Sequence, residues 1–437
     1  MIRLVASALM LIAAMLPARG ATEAVEITSP GGITAWLVEE HAIPVVSLAI
    51  SFAGGATLDP ADRAGLASMM AALLSEGAGE RDAVAFAEAA EALAARFSFS
   101  AGRDSVQLSA SFLRENLGPA LALLHDALVR PRFDPAAIER VRAQIISGIR
   151  ADATDPDAIA RRRFAELVFA GDPYARPVDG TEASVAAITR DDLLAAHRRL
   201  LVPGRARIAI VGDIGAEEAG RMLDGLLAGL AAEGPPLPGP AAMSLTGGVT
   251  VVGFDTPQSV VVFAQPGVAR DDPDFFPAFV LNHILGGGGF SSRLTAEVRE
   301  KRGLTYGVYS YLAGLRRADL WMGGVASANQ RVAEAIAVIR AEWARAAREG
   351  VTAEELEAAR TYLTGAWPLQ FDSSAAIARL LVALQEDGRG IDYLTSRNRL
   401  IEAVTLEDVN RVARSRLDPA RLRFVVVGRP VGLDPEE

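Results

Sequence analysis

Between Gly286 and Tyr306 the chain reads GGGGFSSRLTAEVREKRGLTY, and this stretch concentrates its usable chemistry. A guanidinium at Arg299 and a phenol at Tyr306 stand seven residues apart. Both are hydrogen-bond donors that can stabilise a developing oxyanion without being consumed. Upstream, Gly286, Gly287, Gly288 and Gly289 form a flexible hinge or let a peptide backbone approach closely, and Phe290, Ser291 and Ser292 come next. Judged singly, Arg299 reads as a solvated helix residue and Tyr306 as a half-buried strand aromatic. Arg302 competes for the role of the arginine. The combination, not either residue alone, points to a site.

Other chemistries find little support. There is no cysteine, which excludes disulfides, thiolate metal sites and cysteine nucleophiles. The four histidines, His41, His125, His197 and His283, are scattered, and none has a partner at helical spacing that completes a ligand set. They read as surface or packing residues. No Gly-x-Ser-x-Gly is present, and the glycine run lacks the Gly-Lys-Ser/Thr of a phosphate loop. A net charge of −10 argues against a nucleic-acid partner, which needs a basic face.

Two domains must position these residues, because 437 residues exceed one ordinary core. A long repeat defines them. Ile188-Thr-Arg-Asp-Asp-Leu, with Pro203 and Ile208-Ala-Ile-Val-Gly, recurs 216 residues on as Val404-Thr-Leu-Glu-Asp-Val, Pro419 and Phe424-Val-Val-Val-Gly. Each copy predicts a Thr-capped helix and then a buried strand. Phe133-Asp-Pro-Ala-Ala-Ile-Glu-Arg matches Val351-Thr-Ala-Glu-Glu-Leu-Glu-Ala at a shift of 218, and both open long amphipathic helices. The Pro-rich stretch Gly234-Pro-Pro-Leu-Pro-Gly-Pro marks a linker. The expected plan is a signal peptide over 1–20, a first domain over 21–232, a linker over 233–243 and a second domain over 244–437. Arg3, an apolar run from Leu4 to Leu16 and Ala18-Arg19-Gly20 carry the signal reading and with it a secreted or periplasmic location, with no stable membrane anchor. Alternating stretches at Ile33–Val38, Val45–Phe52, Ser105–Phe112, Val249–Phe254 and Val260–Gln265 predict strands. Paired strands and runs of helices favour α+β halves, each a largely antiparallel sheet packed against helices.

In the first half, Gly54-Gly-Ala-Thr-Leu-Asp-Pro-Ala-Asp-Arg-Ala-Gly-Leu-Ala leads into Ser68-Met-Met-Ala-Ala. With the motif from Gly286 to Tyr306, this frame resembles the inverzincin zinc peptidases, relatives of pitrilysin, insulinase and mitochondrial processing peptidase, across essentially the whole mature chain. In that family the first helix carries His-x-x-Glu-His, whose histidines bind zinc while the Glu acts as base. Here those positions hold Ser68, Ala71 and Ala72, and the later Glu ligand is replaced by Gly148. The resemblance therefore implies no cofactor on this chain. It implies that Arg299 and Tyr306 act on the scissile carbonyl in a chamber shaped by Gly286–Ser292. Some enzymes of the family divide these roles between two chains, and this sequence resembles the non-zinc one. It is expected to be half a clamshell, inactive alone, with a zinc-bearing sister subunit as partner and peptides as substrates. A non-catalytic peptide-binding or scaffold protein of the same fold is the alternative. An active homodimer with a different metal site is a more remote one.

Overall fold

The computed structural model describes residues 23–433, so the expected signal sequence lies outside the described residues. The first sheet contains β1 (Val25–Thr28), β2 (Thr34–Glu39), β3 (Val45–Ala53), β6 (Arg96–Ala101), β7 (Ser105–Leu113) and β8 (Ala206–Gly212), in the order β1-β2-β8-β3-β7-β6. A two-residue ladder, β4 (Gly77–Ala78) with β5 (Arg81–Asp82), stands apart. The second sheet contains β9 (Gly248–Gly253), β10 (Gln258–Pro266), β11 (Val308–Leu315), β12 (Ala318–Ala328) and β13 (Arg423–Gly428), in the order β11-β12-β10-β13-β9.

The two sheets share one wiring. β8 lies parallel to β2 and antiparallel to β3, and β13 lies parallel to β9 and antiparallel to β10. Beyond them run the antiparallel hairpins β7–β6 and β12–β11. Duplication is thus written in the topology as well as in the sequence. The Thr-led helices are Arg190–Leu200 and Leu406–Arg416, each closed by a capping box. The Thr189 hydroxyl accepts from Asp192 N–H at 3.2 Å while the Asp192 carboxylate accepts from Thr189 N–H at 2.9 Å. Thr405 and Asp408 repeat the exchange. Such a cap stabilises its helix by about 1 kcal/mol.

Each sheet buries one face under the helices of its own half. In the second core Phe263, Trp321 and Trp343 meet edge to face. Both buried indoles are partnered, Trp321 Nε1 on Asn282 Oδ1 and Trp343 Nε1 on Gln265 Oε1, each at 2.9 Å. The other faces are covered reciprocally. Helix Pro156–Val168 of the first half lays Ile159, Ala160 and Phe164 against Val262, Ala264, Val425 and Val427 of the second sheet. Helix Ser374–Glu386 of the second half lays Ile377, Leu381 and Val382 against Trp36, Val38, Ala209 and Val211 of the first. These helices are themselves repeats: Ala158-Ile-Ala-Arg161 recurs as Ala376-Ile-Ala-Arg379, again at a shift of 218. The seam is pinned by a bidentate pair in which Arg317 Nη1 and Nη2 donate to Asp172 at 2.9 and 2.8 Å, both side chains only 7% exposed.

Candidate functional site

The degenerate helix spans Leu66–Leu73. Its start is held by Asp59, whose carboxylate accepts from the N–H groups of Gly65 and Ala67 at 3.1 Å. Burial drives the Asp59 carboxyl up to about 7, against the downward pull of those donors and of Arg199 and Arg176. Ser68 donates its hydroxyl to Asp179 at 2.5 Å. Ala71 is packed in the first core, Ala72 is exposed, and Gly148 is exposed with open space where a side chain would stand. One hydroxyl, two methyl groups and a bare backbone do not fit zinc.

Nor do the histidines assemble a substitute. His41 Nδ1 meets Asp213 at 2.6 Å, which raises its pKa, with Glu39 at 3.5 Å. His125 and His197 bond the carbonyls of Leu226 and Leu128. His283 is buried, with its pKa lowered by burial, and stacks on Tyr362 at 5.0 Å. Among the described residues no three His, Asp or Glu side chains converge as a metal set.

The second half builds its loop with more care. Helix Phe275–Asn282 runs into a widened, π-type turn over His283–Gly287. Such bulges gather at functional sites. Asn282 Oδ1 accepts from Ser310 Oγ at 2.8 Å as well as from Trp321, which fixes the turn against β11. Gly286 is required by contact: a Cβ there would fall 2.5 Å from Ser310 Oγ and 2.7 Å from Ser310 N. Gly289 instead adopts φ +56° in open space. Ser292 is buried and donates to Gly289 O at 2.8 Å. Gly286 and Ser292, expected among the substrate contacts, are both buried and hold the loop's shape. Gly287, Gly289, Phe290 and Ser291 are exposed, and Gly288 is half-buried.

Arg293 clamps the loop's exit, donating Nε and Nη2 to the two Glu355 oxygens at 2.6 Å each and Nη2 to Gly350 O at 3.1 Å. A second π-type turn, Thr295–Glu300, carries Arg299. Arg302 is excluded as the free arginine because Nη1 donates to the Glu297 carboxylate and carbonyl at 2.7 Å. Arg299 sits half-exposed with its guanidinium 4.7 Å from the centre of the Phe290 ring, and Phe290 is 72% exposed. Tyr306 is 86% exposed, yet its neighbours are tied down: Thr305 Oγ1 donates to Ala326 O at 2.6 Å and accepts from Gly307 N–H at 3.0 Å. A rigid loop thus presents two donors to solvent, with only an aromatic face beneath one of them. The Arg293–Glu355 clamp and the Phe290 platform escaped sequence reasoning. Arg293 lay inside the motif, but its partner lies 62 residues away.

Comparison with known proteins agrees on the lineage. Residues 35–182 match the family profile described as Insulinase (Peptidase family M16), and residues 187–363 match Peptidase M16 inactive domain. The chain is 25% identical over 394 residues to the "Non-peptidase homolog YmxG" of Helicobacter pylori, covering 89% of this chain and 90% of that protein. It is 28% identical over 355 residues to an uncharacterized zinc protease of Streptomyces coelicolor, covering 79% and 76% respectively. A Pseudomonas fluorescens structure titled as a peptidase M16 inactive domain superposes with a TM-score of 0.87 at 28% identity, covering 95% of this chain and all of that one. With its duplicated sheets and its ligand positions replaced by Ser68, Ala71, Ala72 and Gly148, the chain belongs to the insulinase-type M16 peptidase family as an inactive homologue.

Proposed function

We propose that this chain is the non-zinc subunit of a heterodimeric metallopeptidase, exported to the periplasm or beyond. A sister subunit bearing His-x-x-Glu-His supplies the metal and the base. This chain supplies Arg299 and Tyr306, whose N–H and O–H groups bind the substrate carbonyl as it becomes an oxyanion. Phe290 holds the guanidinium in place, and the exposed glycines leave room for a peptide backbone. One observation carries the reading: two unpaired donors are presented on an anchored loop by a chain that has lost its own metal ligands. The rival reading, a non-catalytic peptide-binding or scaffold protein, draws on the printed name of the Helicobacter relative as a non-peptidase homologue.

Co-expression with a His-x-x-Glu-His sister and then size-exclusion chromatography separates these readings. A single co-eluting, peptide-cleaving species is expected, with an interface above about 1,000 Å². In that species Tyr306→Phe should lower kcat by roughly 10²–10³ with KM little changed. Arg299→Lys should also be damaging because a point charge replaces a planar fork, and Arg302→Ala should be nearly silent. Independent elution without gain of activity ends the heterodimer proposal. Wild-type turnover in Tyr306→Phe and Arg299→Lys makes the chain a scaffold.

A further inference from the structure

We propose that the first half carries an anion-binding pocket beside the vacated metal positions, and that its ligand is a compact oxyanion bearing two or more negative charges. A cavity of about 260 Å³ lies between the end of helix Pro135–Asp152, helix Pro156–Val168, the β6–β7 turn and the loop over 175–180. It adjoins the lost site directly, since Asp179 on its wall takes the Ser68 hydroxyl and Ile149 is the next residue after Gly148.

Arg103, Arg161, Arg162 and Arg176 line the cavity beside Asp152 and Asp179, with Asp104, Asp157 and Glu166 next to the first three arginines. Three of the four guanidinium groups are also poorly satisfied. Arg103 Nη1 is buried with no hydrogen-bond partner among the described residues, and burial lowers the pKa of Arg103. Arg161 and Arg162 reach their helix neighbours Asp157 and Glu166 only at 3.9 and 4.0 Å, the outer limit of an ion pair. Such exposed pairs are easily exchanged for a better acceptor.

A carboxylate or phosphate accepts two parallel N–H bonds from one guanidinium fork, so converging arginines select oxyanions over halide or neutral ligands. The volume suits pyrophosphate, a small polycarboxylate or the carboxylate-rich end of a peptide, and is too small for a folded partner. The site is independent of Arg299 and Tyr306, which belong to the other half.

The test is isothermal titration of the mature chain in phosphate-free, low-salt buffer with three probes: inorganic pyrophosphate, citrate and a short peptide ending in two glutamates. Saturable one-to-one binding of at least one probe is expected. The tighter class, free anion or peptide, identifies the source. Arg161→Ala/Arg162→Ala, both on an exposed helix face, should weaken binding about tenfold or more, as should Arg176→Ala. Arg150→Ala, whose guanidinium pairs with Glu182 and does not line the cavity, should bind as the parent does. Unchanged thermal melts exclude unfolding as the cause of the loss. Absence of saturable heat for all three probes at roughly 10 mM, or equal affinity in the arginine variants, overturns the proposal.

Discussion

Replacing Arg317 with methionine tests how the two halves are held together. The Arg317 fork donates to Asp172 at 2.9 and 2.8 Å, its Nε donates to Gly239 O at 2.6 Å, and the guanidinium lies 4.9 Å from the centre of the Tyr174 ring. Burial raises the Asp172 pKa, but Arg317 and the N–H groups of Tyr174 and Ala242 outweigh it, so the net shift is downward. In Arg317→Met the carboxylate is left buried without its countercharge, a change that costs about 3–5 kcal/mol. Its charge has a ceiling, because the carboxyl can escape by binding a proton. From an unfolded pKa near 3.9, that escape costs about 4 kcal/mol at pH 7 and only about 1.5 at pH 5. The sign comes from the depressed folded pKa: the pair's stabilisation is present above about pH 3.9 and is lost as pH falls through the folded value. Urea unfolding should therefore show the variant about 3–4 kcal/mol less stable at pH 7, with the gap narrowing to about 2 at pH 5. Adding Asp172→Asn should recover part of the pH 7 loss. A variant within 1 kcal/mol of the parent, or a gap independent of pH, would refute the reasoning.

Asp59→Asn keeps an acceptor for Gly65 and Ala67 N–H but removes the ionisation. With its folded pKa raised to about 7, Asp59 contributes stability that is fully present below the unfolded pKa near 3.9 and lost as pH rises through 7. The variant should lack that downward slope, worth up to about 4 kcal/mol, and parallel melting-versus-pH curves would contradict this. Gly286→Ala should cost about 1–3 kcal/mol in chemical denaturation because its Cβ strikes Ser310 and Leu294. Gly289→Ala, strained only through its positive φ, should cost about 1 kcal/mol. Equal effects at the two glycines would mean that the turn is not packed as described.

Local grammar was legible and long-range partnership was not. Thr189 and Thr405 announced their helices because a capping box is encoded within four residues. The strands from Val45, Ser105 and Val260 were legible as strands, but only Ser105–Leu113 keeps the alternating burial the sequence suggested, because helices cover both faces of Val45–Ala53 and Gln258–Pro266. Arg302 was separable from Arg299 only once Glu297 was seen to hold it, and the sequence places all three within six residues. Ser292 reads like any exposed loop serine until its hydroxyl is found capping the turn from within. The destination of helix Pro156–Val168 was hidden for a different reason. Amphipathicity says that a face is buried, never against which sheet.

The reciprocal helices give the chain the anatomy of a domain-swapped dimer joined by a tether. Each half lends the other the layer that seals its sheet, so either half expressed alone would leave an apolar wall open to water. The Pro-rich tether is then dispensable to the architecture. A chain nicked within 234–240 should hold together and unfold in one transition, and the two fragments made separately should find each other. Opening and closing of the molecule about that tether is equally foreclosed.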